Sequence, residues 1–324
     1  MRTPVIHRLE GLEPDNLLAF LALLGTIRAI ERARPDLTPR VSWSVDAPPL
    51  RPCLHLAMAV DREAVSDIVA RGIDLLAQAH SFEGRADLNF AGDECRSMLK
   101  AAAVEASRSD RDRADLLAAL MNDAAVKTNK EGNIDPTPLC LLFGQGHQHF
   151  LERLACVPKL QAPPARGRGK QSVQPTPAQT VAEALFEVWR REDPTPSFRW
   201  DPGEDIRYAT MAGDPTNAAF KTGTQHGANR LASIGLPVLR LAVRARAGGL
   251  RPVVSGGRRD AGGFAFAWPI WRAAIRLSGI NALLQHPDLH APRGLVHLGV
   301  VDVLVARRIS VGKFMNFTRA RPVH

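Results

Sequence analysis

A chain of 324 residues with 42 Lys+Arg against 33 Asp+Glu carries +9 at pH 7; it is long enough to bury a large core and basic enough to seek anionic partners. Its four cysteines, Cys53, Cys95, Cys140 and Cys156, show no Cys-x-x-Cys spacing, which argues against a zinc site or a disulfide framework and for a reducing compartment. There is no apolar run of the length that crosses a bilayer, and Glu10, Glu13 and Asp15 interrupt the N-terminus where a signal peptide would be apolar, so a soluble, cytoplasmic protein without membrane contact is expected.

In chain order, residues 5–9 read as a short strand, and Gly11, Pro14 and Asp15 turn it into a helix over 16–32, whose Leu17, Phe20, Leu21, Leu24, Ile27 and Ile30 form a broad apolar face. Strands follow at 41–45 and 53–60, and Asp61 is placed to cap a helix running to residue 78. Residues 87–90 fit another short strand. An Ala-rich stretch, 93–122, is helix-prone with a break near 107–110.

Residues 139–143 lead into Gly144-Gln145-Gly146-His147-Gln148-His149 and a helix through residue 154. A His-x-His pair after two glycines can ligate metal or move protons. No carboxylate and histidine set completes a ligand shell, and the Gly-Lys-Ser/Thr ending of a Walker-type loop is absent. No metal or nucleotide cofactor and no catalytic residue is therefore assigned; the competing enzyme reading is a metal-independent RNA-processing nuclease using His147, His149 or His226 beside Arg230 or Lys221.

Five prolines, Pro158, Pro163, Pro164, Pro175 and Pro177, mark 158–180 as a linker or loop, with Lys159, Arg166, Arg168 and Lys170 and no acidic residue. It reads either as a plain spacer or as a mobile arm that orders on a nucleic-acid backbone. A helix over 181–191 then ends before Asp193-Pro194. The expected organisation is α+β: an α+β part over 1–157 built on the first helix, the basic Pro-rich loop over 158–180, and a β-rich, basic part over 181–324.

The stretch 198–247 organises the second half. Its turn-rich opening passes Lys221 and reaches Gln225-His226-Gly227-Ala228-Asn229-Arg230, donors at a helix start where N–H groups could meet an anion. It closes on Leu239, Leu241, Val243 and Ala245 alternating with Arg240, Ala242, Arg244 and Arg246. That period of two belongs to a strand with one buried face, and leaves three arginines on the other. Both features fit a phosphate-facing ledge, and equally a solvated strand beside an ordinary loop.

Charge distribution favours the ledge. From Leu239 to His324 fourteen basic residues face three acidic ones, so this end is +11 and the remaining 28 basic and 30 acidic residues amount to −2. Thirteen of the fourteen are Arg, whose planar fork suits phosphate and guanine. Here residues 250–254 and 263–268 flank Gly256-Gly257-Arg258-Arg259, which reads as a hairpin with a basic tip. Trp268 and Trp271 flank Pro269 and fit packing better than base stacking. A helix over 279–285 and an apolar strand over 296–305 follow, the latter trailed by Arg307, Arg308 and Lys313.

Four islands carry a resemblance: GLEPDNLLAFLALLGTIRAI (11–30), LLFGQGHQHFLERL (141–154), RWDPGEDIRYA (199–209) with HGANRLASIGLPVL (226–239), and FAWPIW (266–271). Together they resemble the large-subunit or accessory proteins of type I CRISPR effector (Cascade) complexes, the I-G (formerly I-U) group in particular. None of the islands is a catalytic signature. The resemblance implies a non-catalytic subunit of an antiviral surveillance complex, partnered with guide RNA, target DNA and other effector subunits, that aids target DNA binding near the protospacer-adjacent motif or along the displaced strand. The residues expected to face nucleic acid are Arg240, Arg244, Arg246, Arg258, Arg259, Arg307, Arg308, Lys313, Lys221, His226, Asn229, Arg230, Arg166, Arg168 and Lys170. A third possibility is an interaction subunit whose basic end only docks on another protein.

Overall fold

Asn16 closes an extended stretch, and its side chain accepts a hydrogen bond from Ala19 N, so α1 (Leu17–Ala33) starts where the sequence expects. The computed structural model describes residues 5–127, 132–142, 149–167, 169–204, 223–246, 249–311 and 314–323. Nearly every side chain of α1 is buried, as its broad apolar face demands. Beside it, β1 (Ile6–Arg8), β2 (Arg40–Trp43) and β3 (Pro52–His55) form an antiparallel sheet in the order β1-β3-β2. Asp61 accepts from Ala64 N and starts α2 (Arg62–Leu76), which lies against α1.

α3 (Gly92–Ala106) and α4 (Asp112–Leu120) divide the Ala-rich stretch at its Ser/Asp break. The strand expected over 87–90 does not form. Phe90 and Leu88 are buried, and the Phe90 carbonyl accepts from Ile134 N without a neighbouring strand to extend the ladder. α5 (Phe150–Cys156) follows, then α6 (Pro177–Phe186). The latter begins four residues earlier than its apolar pattern implies, because Thr176 and Gln179 close a capping box and Pro177 occupies the first turn.

α7 (His226–Gly235) crosses α1 at very short range. A Cβ placed on Gly25 would lie 1.9 Å from the Leu231 carbonyl oxygen, and one on Gly235 2.2 Å from that of Leu21, so bare backbone at both positions permits the contact.

The C-terminal half is β-rich. β4 (Leu241–Arg246) and β5 (Gly249–Val254) make an isolated two-stranded ribbon. β6 (Gly257–Asp260), β7 (Gly263–Trp271), β8 (Val300–Val311), β9 (Phe314–Phe317) and β10 (Arg321–Pro322) make a second antiparallel sheet, ordered β10-β8-β7-β6 with β9 on the far end of β8. Between β7 and β8 lies α8 (Leu277–Gln285). β8 starts later than expected, since 296–298 form a 3₁₀ turn closed by Gly299 at φ +79°. The architecture is α+β.

The inner face of β7 presents Phe264, Phe266, Trp268 and Ile270. Phe20 of α1 packs on it, stacked on Trp268 at 5.3 Å between ring centroids. The indole N–H groups of Trp268 and Trp271 donate to Pro14 O and Val41 O. Both rings are therefore packing residues that bind the β-rich end to the N-terminal sheet. The boundary expected between 157 and 181 separates no second core: buried side chains from both sides form one continuous cluster. Among the described residues no helix is long and apolar enough to cross a membrane.

Candidate nucleic-acid interface

The arginine-bearing strand behaves as its alternation dictates. Across the ribbon Leu241 pairs with Val254, Val243 with Pro252 and Arg244 with Arg251. Directly paired residues share a face. Leu241, Pro252 and Val254 are buried against the body, while Arg240, Arg244 and Arg251 belong to the opposite face. Arg240 and Arg244 are exposed and have no ion-pair partner among the described residues; Arg251 stands 3.7 Å from Asp135.

The two Arg-Arg pairs split across the large sheet because successive strand residues point to opposite sides. Arg258 lies opposite Ala265, which lies opposite Arg307, so these two arginines share the outer face. Arg259 and Arg308 take the inner face, where both guanidinium groups lie over the Phe264 ring and Arg308 donates to the Pro138 carbonyl at 3.0 Å. Burial lowers the Arg308 pKa. These two are packing residues rather than nucleic-acid contacts. The expected basic hairpin tip also needs correction: Arg258 and Arg259 sit in β6, while the β6–β7 turn is made by Asp260, Ala261 and Gly262, with Gly263 at φ +98°.

The helix start at Gln225 is no ledge. His226 and Asn229 are 1 % exposed and Arg230 is 0 % exposed. Arg230 donates to the Pro158 and Gln161 carbonyls and to Asp74 at 2.9 Å. His226 Nε2 bonds the Leu160 carbonyl oxygen at 2.8 Å, and burial first, then the Arg230 charge, pushes its pKa down to about 4. The sequence suggests an anion site here because donors cluster before an apolar run; the helix in fact turns those donors inward, to satisfy buried carbonyls of the chain 158–161.

Arg166 has a similar fate. Its guanidinium grips Glu183 at 2.7 and 2.9 Å and Asp193 at 2.8 and 2.9 Å, and its backbone bridges Val173. Those carboxylates raise its pKa and pin the Pro-rich loop onto α6. It is a buckle and not a free arm. Arg168, Lys221 and Lys313 lie outside the described residues, as do the side chains of Lys170 and Arg246.

His147 likewise lies outside the described residues, and His149 Nδ1 meets Asp87 at 2.9 Å. His226 is closed off from any substrate, which removes it and Arg230 from the nuclease constellation. Among the described residues no group of three or more His, Cys, Asp and Glu could hold a metal ion.

The structure brings forward residues that the sequence counted only as charge. Along the outer face of β8 and β10 runs a groove of two lobes, about 640 Å³ and about 590 Å³, which share Pro322 and Val323. Arg272 and Arg293 line one lobe; Arg258, Arg307, Arg319 and Arg321 line the other. Arg307 is held by Asp260 in a two-pronged contact at 2.9 and 3.0 Å, and Arg319 by Glu13 and Asp15 at 2.9 Å. Arg293 and Arg321 are exposed and have no ion-pair partner among the described residues. Only their shared position beside the groove distinguishes them, and pairing register supplies it: Arg321 lies opposite Val305.

Comparison with known protein families, curated proteins and solved structures finds no match to this chain. The class that the fold and surface define is an α+β protein with an arginine-faced β-ribbon at its basic end.

Proposed function

We propose that the protein is a non-catalytic nucleic-acid-binding subunit of a CRISPR RNA-guided antiviral complex, one that helps target DNA bind and contributes to protospacer-adjacent motif recognition. The observation that carries the binding role is the ribbon β4–β5: two short strands, apolar on the face toward the body, with Arg240 and Arg244 exposed on the other without carboxylate partners among the described residues. A two-stranded ribbon is one of the two elements that the major groove of duplex DNA admits. Arginine is the side chain best suited to phosphate and guanine there. The assignment to a guide-RNA complex comes from the sequence resemblance; base pairing by the guide would read sequence, while this subunit would hold backbone and a short motif.

The test is duplex binding by the full-length protein at several salt concentrations. Wild type should show affinity falling steeply with salt, and the double variant Arg240→Gln with Arg244→Gln should flatten the slope by about 0.9 per lost phosphate contact. Its melting temperature should stay within a degree or two of wild type, because surface changes outside a network move stability by about 0.5 kcal/mol or less. An unchanged slope and affinity in the variant would remove the ribbon from the interface.

A further inference from the structure

At one end of the outer groove, polar atoms gather without internal partners. Arg258 Nε is buried with no hydrogen-bond partner, Asp260 Oδ2 standing 3.5 Å away. His290, at the end of the 3₁₀ turn 287–290, buries Nδ1 without a partner as well. The positive charges of Arg258 and Arg244 both act on the His290 ring, so the arginine face of the ribbon and the head of the groove meet there. A buried donor left unmade costs more than a made one returns, and three basic side chains converging without a carboxylate in hydrogen-bond reach describe the needs of an anion.

From that point the groove continues past Arg307 and Arg321, over the shared Pro322 and Val323, to Arg293. Its floor is aliphatic, with Val301 45 % exposed and Val303 and Val305 beside it. Each lobe has the volume of a small-ligand pocket. A nucleotide or two enters such a space; a duplex, whose major groove alone is about 12 Å wide, does not. Guanidinium groups spaced along an apolar floor match a strand whose phosphates and unpaired bases are both available, which only a single strand offers.

We propose that a single strand of nucleic acid lies in this groove, one of its phosphates held where Arg258, His290 and Arg244 converge. The proposal rests on the nucleic-acid-binding reading above and adds a second, distinct binding surface to it. A phosphate oxygen at the head of the groove accepts from Arg258 Nε and from His290 in the tautomer that carries hydrogen on Nδ1. Arg307 and Arg319 are held in place by Asp260, Glu13 and Asp15, so their remaining N–H groups are oriented before the strand arrives. The floor lacks aromatic rings, so binding is sequence-tolerant and depends on charge.

The experiment is fluorescence anisotropy with the full-length protein and two probes, an oligothymidylate and a blunt duplex. Arg293→Glu with Arg321→Glu reverses two exposed charges and should weaken oligothymidylate binding by about tenfold or more while changing duplex affinity by less than about twofold. Arg258→Gln should weaken the oligothymidylate alone. A melting scan of each variant checks folding, and Arg321→Glu by itself gives a milder variant on an exposed strand end. Oligothymidylate binding that survives both charge reversals overturns the groove assignment, as does equal loss for both probes. Wild type that binds duplex but not oligothymidylate defeats this proposal and leaves the ribbon reading intact; wild type that binds neither defeats the ribbon reading first.

Discussion

Arg230 and Arg244 are the same residue type fourteen positions apart with opposite fates. One is sealed beneath the Pro-rich loop and spends its N–H groups on carbonyls; the other projects from an isolated ribbon. The difference is the environment of the backbone that carries each, which a single residue cannot announce. Buried histidines carry the same lesson and a consequence for stability. His80 and His226 are buried at 2 % and 1 % exposure, and burial lowers their pKa from 6.5 to about 3 and about 4. A group whose pKa is depressed on folding takes up its proton more readily when unfolded. Its stabilisation is present above pH 6.5 and is lost as pH falls toward the folded value, by up to about 2 kcal/mol each by about pH 5. Urea unfolding followed from pH 7 to pH 5 should show a falling midpoint; a flat profile would mean that these rings are hydrated in the folded protein.

At the scale of elements, periodicity was a good guide and partnership a poor one. α1, α2 and the break between α3 and α4 follow from apolar spacing, the Asn16 and Asp61 caps and the Ser/Asp interruption. The period of two in 239–246 gives the ribbon its apolar and arginine faces. Strand 87–90 failed because a strand needs a neighbour, and none is within pairing reach. Register also settled which member of each Arg-Arg pair faces outward, since sliding a strand by one residue exchanges its faces. The crossing of α1 and α7 depends on two glycines whose sequence context looks unremarked. Gly25→Ala should destabilise by about 3 kcal/mol, at the upper end for overpacking, because its Cβ would strike a backbone carbonyl rather than a pliable side chain. Chemical denaturation measures it, and a loss under about 0.5 kcal/mol would mean that the helices separate freely.

For the molecule as a whole, the decisive contacts join the ends of the chain. Trp268 stacks on Phe20, Trp271 donates to Val41, Ile275 pairs with Val41, and Ala320 N donates to Asp15 O. A fragment of residues 181–324 therefore loses the partners of the inner face of β7 and should show no cooperative thermal transition by calorimetry; a sharp transition would establish a separate domain after all. Composition by itself determined the α+β class, the concentration of positive charge after Leu239, and the helices and strands with strong periodicity, because these depend on spacing along a local backbone. It also marked the arginine-faced strand. Only the tertiary structure decided which cations are exposed. His226, Asn229, Arg230 and Arg166 were drawn inward by carbonyls and carboxylates far away in sequence, and Arg293 and Arg321 were brought together from separate elements along one groove. A formal charge is a local property, whereas its availability to a partner depends on what the fold has packed against it.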